Sequence, residues 1–427
     1  MLRTRGYKYE LRVNNKERTR LTQCAGVARF AWNWGLAERL KRYKEQKGPN
    51  RYTDAMKQHK LLNQCKKTEF QWMYEVSKCI PQEALRDLDR AFHNFYRARN
   101  QASPHKRVGF PKFKKKNKTK ASFRLTGTIK VFPPIKQVQL PRLGQVRVKE
   151  IPLLAPTARI LSATISRTAD KWYVAFTVEE EHFIPDRCYE KVLGLDVGLT
   201  RFTTLSSGIS VPKPKFLLKR LKKLRRLSKA HSRKQLGSAN RRKSARALAK
   251  FHLRVVNTRK DFHHKLSTTL VKNHDVLVVE NLTVKGLMKN KKQSRYWADL
   301  AHGEFQRYLT YKSEKTGTLL VTADRWFPSS RLCSNCLIYH PDLTLTDRTF
   351  CCPFCGLVFD RDYNAALNLE QYFFQFVLSQ VIPIHPVAES SAETLNACGE
   401  TVRPAYQQAR LCESGRQAQP KIGSQKP

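Results

Sequence analysis

The chain opens with an alternating run, YKYELRV at residues 7–13, that predicts a strand. From Glu17 to Tyr43 the period changes: Leu21, Val27, Phe30, Ala31 and Trp34 fall on a helical repeat. A second helix is predicted from about Pro81 to Arg99. Pro81 suits a first turn, and Ala84, Leu85, Leu88, Ala91, Phe92 and Phe95 share one face that reads as core. From Gly109 the pattern shortens to GTIKVF, KQVQLP, GQVRVKE, ILSATISRT and KWYVAFTVEEE, divided by Pro and Gly. Short alternating strands of this kind predict a small antiparallel barrel or sandwich, with the helices inserted into it.

Arg187 to Tyr189 mark a boundary, after which the texture is α/β. KVLGLDVGLTRFTTLSSG holds two strand-like runs joined near Asp196 to Thr200, and a basic helical stretch follows from Lys215 to about Asn273. DVLVVENL reads as a buried strand and GTLLVTADRWF, residues 317–327, as another, with a helix starting at Asp362. Strands separated by long helices suit an α/β sheet. Beyond Ile384 the chain turns polar, rich in Pro, Ser, Gly and Gln, and is expected to lack a packed core.

At 427 residues the chain exceeds one comfortable core. Its 81 Lys and Arg against 34 acidic residues give a formal charge of +47, which calls for a polyanion. No Asp or Glu occurs between Asp89 and Glu150 or between Asp196 and Asp261. Phe92, Phe95, Tyr96, Phe110, Phe113 and Phe123 interleave with the first of these stretches, as in surfaces that bind nucleic acid. The N-terminus has no apolar signal core, and the best apolar run, Tyr372 to Ile384, is too short to span a bilayer, so a cytoplasmic protein is expected. Eleven cysteines, an odd set with one dense cluster, argue for metal and free thiols over a disulfide framework.

That cluster is Cys333-Ser-Asn-Cys336 and Cys352-Pro-Phe-Cys355, two CxxC knuckles with fifteen residues between them. The spacing lets four thiolates close a tetrahedron around zinc, and four Cys ligands leave no position for water, so the ion is structural. Cys351 would lengthen the second knuckle. Asp196 ends the run VLGLD and Glu280 ends VLVVE, so each carboxylate emerges at the C-terminal edge of a buried strand. Asp362, in FDRDYNAALNL, could face the same spot from the N-terminus of a helix; Asp360 is a rival that spacing alone leaves open. Three clustered carboxylates repel unless divalent cations neutralise them, which fits two-metal phosphodiester hydrolysis with magnesium.

At DVGLT (196–200), VENLTVKGL (279–287), FPSSRLCSNC (327–336), DLTLTDRTFCCPFCG and DRDYNAALNL the chain resembles the TnpB family, relatives of miniature type V CRISPR effectors. The likeness extends to PKFKKK (111–116), the QEALRDLDRAFHNFY helix and LNACGETVRP, and so covers nearly the whole chain in order. It implies a RuvC-type RNase H-like nuclease at residues 187–327 and 358–384, interrupted by a zinc ribbon at 328–357. A wedge-like β-barrel is implied at 1–14 and 106–186, carrying a helical recognition insertion at 15–105, with a disordered tail at 385–427. The catalytic residues become Asp196, Glu280 and Asp362, which would also hold magnesium, and the zinc ligands Cys333, Cys336, Cys352 and Cys355.

The partners implied are a noncoding guide RNA from the transposon end and double-stranded target DNA, read beside a short adjacent motif; no small-molecule substrate or membrane is expected. Base pairing would supply specificity while a basic channel holds the heteroduplex. The family's prokaryotic setting implies association with the nucleoid. By the same analogy Ser77, Lys78 and Gln82 approach the target-adjacent motif, and Lys112, Lys114, Lys115 and Lys116 contact nucleic acid. The sequence departs from the family at Leu337, where Gly is usual, and at His302, where Trp is usual. Two other functions compete: a transposase that performs strand transfer, and a zinc-ribbon nucleic-acid-binding regulator with an inert core.

Overall fold

The alternating runs of the N-terminal half fold as one seven-stranded sheet. Its strands are β1 (Leu2–Arg12), β2 (Ser122–Leu125), β3 (Lys130–Phe132), β4 (Gln137–Leu140), β5 (Gly144–Val148), β6 (Arg159–Thr168) and β7 (Lys171–Glu181). They lie in the order β2-β6-β7-β1-β5-β4-β3, and every neighbouring pair is antiparallel. Alternation in β7 sends Trp172, Val174, Phe176 and Val178 into the core, as a half-buried strand requires. Glu180 continues that buried row, where the Arg5 guanidinium at 2.7 Å and the Tyr7 hydroxyl at 2.9 Å both donate to it. The sequence predicted a barrel or sandwich; among the described residues β2 and β3 are the two ends of the sheet and do not pair with each other.

The computed structural model describes residues 2–46, 53–100, 108–116, 118–181, 189–344 and 346–378, so the predicted tail at 385–427 lies outside them. The chain divides into two compact units: residues up to 183 with 233–253, and residues 184–232 with those from 254 onward. Inserted between β1 and β2 are α1 (Asn15–Glu45), α2 (Ala55–Thr68) and α3 (Cys79–Asn100). A capping box starts α1: Asn14 accepts from the Glu17 amide and Glu17 accepts from the Asn14 amide, each at 2.8 Å. Ile80, Ala84, Leu85, Leu88 and Phe92 of α3 are buried, as the helical stripe predicts.

The second unit is built on a five-stranded sheet in the order β10-β9-β8-β11-β12. Here β8 (Val192–Asp196), β9 (Arg201–Leu205) and β10 (Ser210–Pro212) are an antiparallel meander, whereas β11 (Val276–Val279) and β12 (Leu319–Thr322) run parallel to β8. The unit's helices are α4 (Leu221–Ser232), the part of α5 (Ala239–Asn273) from residue 254 onward, α6 (Val284–Leu287), α7 (Ser294–Leu300), α8 (His302–Thr316) and α9 (Arg361–Phe376). Leu193 and Leu195 of β8 join one core with Leu270 and Leu309, while Val192 joins another with Leu369 and Phe373, so the sheet is buried on both faces. A two-stranded ribbon, β13 (Thr349–Cys351) and β14 (Val358–Asp360), precedes α9.

Two predicted elements are corrected. The basic helix expected from Lys215 to Asn273 is broken at 233–238, where Gly237 takes a φ of +82° and the Ser238 hydroxyl accepts from the Arg241 amide at 3.1 Å, as an N-cap does. The strand expected over 317–327 is only β12, because Asp324 accepts from the Trp326 amide at 2.8 Å and turns the chain. Among the described residues, no helix is long and apolar enough to cross a membrane.

Phe202, fully buried in β9, is flanked by the rings of His302, with centroids 4.7 Å apart, and His263, 5.6 Å away. Burial pushes both imidazoles down to about 4 from their ordinary 6.5. A depressed histidine contributes stability that is complete above the unfolded value and is lost as pH falls towards the folded one, on the order of 3 kcal/mol for each ring. Thermal melts between about pH 6.5 and 4 are expected to show the wild type losing more stability than His302→Phe as pH falls, because the variant removes one of the two depressed rings; the same pH dependence in both contradicts this.

Candidate metal and carboxylate site

Parallel pairing of β8 with β11 puts Val279 opposite Leu195, so the next residues, Glu280 and Asp196, leave the sheet side by side. The two carboxyls are close enough to titrate as a pair. Burial first, then the charges of Glu280 and Asp362, pushes the Asp196 carboxyl well above its usual range. Burial also raises Glu280, against a hydrogen bond from Ser329. The cationic counterweight near both is Arg361. This oxygen-only donor set, short of positive charge, has the chemistry that hard divalent cations satisfy.

Asp362 arrives on α9, and the structure separates it from its rival. Asp360 is the N-cap: its carboxylate accepts from the amides of Asp362 at 3.1 Å and Tyr363 at 3.3 Å, and it pairs with Arg201 at 2.9 Å. Asp362 is the one whose charge is felt by Asp196 and Glu280. Close contact between β8 and α9 depends on Gly194, since a Cβ there would collide with the Ala366 carbonyl oxygen.

Side chains without a sequence signature complete the site. The Ser329 hydroxyl donates to Glu280 at 2.9 Å and fixes that carboxylate's orientation. Asn368, on α9 and 1% exposed, donates to the carbonyls of Ser329 at 2.7 Å and Leu332 at 2.8 Å. Asn364, fully buried, donates to the Leu332 carbonyl at 2.7 Å and accepts from the Ser334 amide at 3.0 Å. Helix α9 is thus stapled to the loop that enters the first cysteine knuckle.

The Sγ atoms of Cys333, Cys336, Cys352 and Cys355 lie within 4.8 Å of one another, and Cys351, exposed at the end of β13, is outside the group. Cys333 and Cys355 are 3.5 Å apart, as are Cys336 and Cys352, close to the roughly 3.8 Å edge of a tetrahedron with metal–sulfur bonds of about 2.3 Å. Hydrogen bonds from the Leu357 amide and the Asn335 side chain draw the Cys355 thiol down to about 6, which favours a thiolate. The knuckles repeat each other: Leu337 and Gly356 donate to the Cys333 and Cys352 carbonyls at 2.9 and 3.0 Å. Both positions are left-handed, φ 59° at Leu337 and 70° at Gly356, so Leu337 does the work of a glycine at a steric cost.

The residues expected to touch nucleic acid divide. Lys78, Lys112, Lys115 and Lys116 are exposed and Gln82 is half-buried. The other two are less open: Ser77 is buried, and its hydroxyl accepts from the Cys79 amide at 3.4 Å, while the Lys114 ammonium lies 3.5 Å from the Trp32 ring centroid.

Comparison with known proteins places the chain. A family model described as "Probable transposase" matches residues 175–291, one described as "Cas12f1-like, TNB domain" matches 302–369, and one described as "Helix-turn-helix domain" matches 1–48, where this structure has β1 and α1. A protein of Streptomyces pristinaespiralis named "Putative RNA-guided DNA endonuclease" is 31% identical over 418 residues, covering 97% of this chain and 96% of its own. InsQ of Escherichia coli, with the same descriptive name, is 29% identical over 385 residues, covering 86% and 92%. The solved Cas12f1–sgRNA–target DNA complex aligns at 14% identity with a TM-score of 0.45 over 83% of this chain and 82% of that one, too loose a match to bear on the fold. The chain belongs to the TnpB (OrfB) family.

Two substitutions test this local architecture. Gly194→Ala is expected to destabilise the second unit by about 3 kcal/mol or more in denaturant unfolding, whereas Gly6→Ala, where a Cβ meets nothing within 4 Å, leaves it unchanged. Leu337→Gly relieves the left-handed strain and is expected to stabilise the knuckle by roughly 1 kcal/mol, read as slower metal loss to a chelator; unchanged loss argues against the strain.

Proposed function

We propose that this protein is an RNA-guided DNA endonuclease of a transposable element, cutting phosphodiester bonds at Asp196, Glu280 and Asp362. The observation that carries the reading is the pair of carboxylates at the ends of neighbouring parallel strands, Asp196 and Glu280, with the charge of Asp362 on α9 felt by both, in a chain of charge +47. The sheet order, an antiparallel meander followed by two parallel strands, supports an RNase H-like, RuvC-type core. The names of the relatives support the guide RNA and the DNA target; the guide would derive from the transposon end.

In this reading Asp196, Glu280 and Asp362 hold magnesium. When bound, the ions supply an activated water and neutralise the leaving oxygen. Ser329 holds one Glu280 oxygen so that the other faces Asp196, and Asp360, engaged as a cap and ion pair, is left out of the ligand set. The four cysteines take zinc as a structural ion that orders a ribbon too small to bury a core of its own. The protein would work in the cytoplasm, at the nucleoid, as a wedge-like sheet with its helical insertion ahead of the nuclease core.

One observation favours a second reading, strand transfer: the family model over residues 175–291 is described as a transposase. A plasmid bearing a guide-matched target beside randomised flanks separates the two, using protein co-expressed with its native downstream DNA. Cutting that needs RNA and magnesium, is lost in Asp196→Ala and leaves unjoined ends is the expected result. Joined products support strand transfer instead, and RNA-bound wild type that never cuts sinks both.

A further inference from the structure

The helical insertion carries a feature that the cleavage chemistry does not use. Between α1 and the segment 111–114 lies an open hollow of about 510 Å³, lined by Arg29, Phe30, Asn33, Trp34, Phe70 and Phe113 among others. That volume falls in the range of small-molecule sites, about 300–1,000 Å³. We propose that it is a stacking site for an unpaired nucleotide of single-stranded nucleic acid. The inference goes beyond the endonuclease reading and does not depend on the carboxylates.

The chemistry of the lining selects the occupant. Four of its residues are aromatic, and none is a carboxylate; Arg29 is the one ionic side chain. Phe70 at 4.9 Å and Trp72 at 5.1 Å meet the Phe30 ring edge-on and hold its plane. Phe113, in the lining, is 50% exposed, and Trp72, outside the lining but against Phe30, is 43% exposed. Flat aromatic faces beside cations suit the base of an unstacked nucleotide, with its phosphates outside.

The segment carrying Phe113 is fixed in place. Asn33 donates to the Lys114 carbonyl at 3.0 Å and accepts from the Lys114 amide at 2.8 Å, and the Trp32 indole donates to the Lys112 carbonyl at 3.1 Å. With Lys114 turned onto Trp32, the lysines left exposed along the segment are Lys112, Lys115 and Lys116. They flank Phe113 where a strand entering the hollow would bring its phosphates. A duplex, whose bases are already stacked, meets those lysines without filling the hollow.

The full chain carrying Asp196→Ala, titrated with fluorescent oligothymidylate, oligouridylate and a hairpin duplex, tests this. Phe113→Leu is expected to weaken at least one single-stranded probe about tenfold and leave the duplex unchanged, while Phe113→Tyr binds as the parent does. Trp72→Leu, at a second exposed ring, is expected to act in the same direction, and Lys115→Gln with Lys116→Gln weakens all three probes. Loss confined to oligouridylate assigns the site to RNA and loss confined to oligothymidylate assigns it to DNA. Unchanged binding of both single strands by Phe113→Leu and Trp72→Leu, or an equal loss on the duplex, overturns the proposal.

Discussion

Like charges held together at the end of a sheet are the constraint around which the second unit is arranged. Asp196 and Glu280 stand at the ends of neighbouring parallel strands at the same level, and the charge of Asp362, carried on α9, is felt by both. Burial first, and the charge of Asp362, raise both strand-end carboxyls. A folded chain keeps such a cluster only if its scaffold is stiff enough to resist the repulsion. The stiffness comes from β8 and β11, buried on both faces, and from the direct seating of α9 on Gly194.

The cysteine ribbon is the second source of stiffness. It has only Cys333, Phe350 and Cys352 as a buried cluster, too little to order a segment of its length without cross-linking. Its link to the carboxylates is a chain of buried amides: Asn364 and Asn368 of α9 hold the backbone of Ser329, Leu332 and Ser334, and Ser329 holds Glu280. Asn364 is satisfied at both ends by backbone groups and Asn368 through its amide nitrogen, so loosening the knuckle leaves buried polar atoms unpaired beside the site. The geometry of Glu280 and the order of the knuckle are one mechanical problem, which explains why the ribbon interrupts the nuclease sheet just before α9.

Much of this was legible in the sequence where a simple period or spacing was involved. The apolar runs ending in Asp196 and Glu280 announced strand ends, and two CxxC pairs announced a four-sulfur cluster. The choice between Asp360 and Asp362 was not legible from spacing, because both sit at a helix start; only the capping geometry separates the cap from the free carboxylate. Ser329, Asn364 and Asn368 were invisible because Ser and Asn serve in turns and caps throughout proteins. The break at 233–238 was hidden by basic residues that are equally at home in helix and loop, and α2 by a polar surface with few apolar markers.

The aromatic and basic stretch after α3 shows how composition and structure divide the labour. Read as a string, Phe92, Phe95, Tyr96, Phe110, Phe113 and Phe123 looked equivalent, yet Phe92 and Phe123 are core while Phe113 stands half in solvent. Lys114, indistinguishable in sequence from its neighbours, loses favour for its charge through burial against Trp32, whereas Lys115 and Lys116 are exposed. Clustered positive charge that no carboxylate offsets costs the free protein stability through self-repulsion. Where such charge lies beside open aromatic faces, a polyanion relieves the repulsion and covers the rings in one step, and neither a second basic protein nor a neutral ligand could do both.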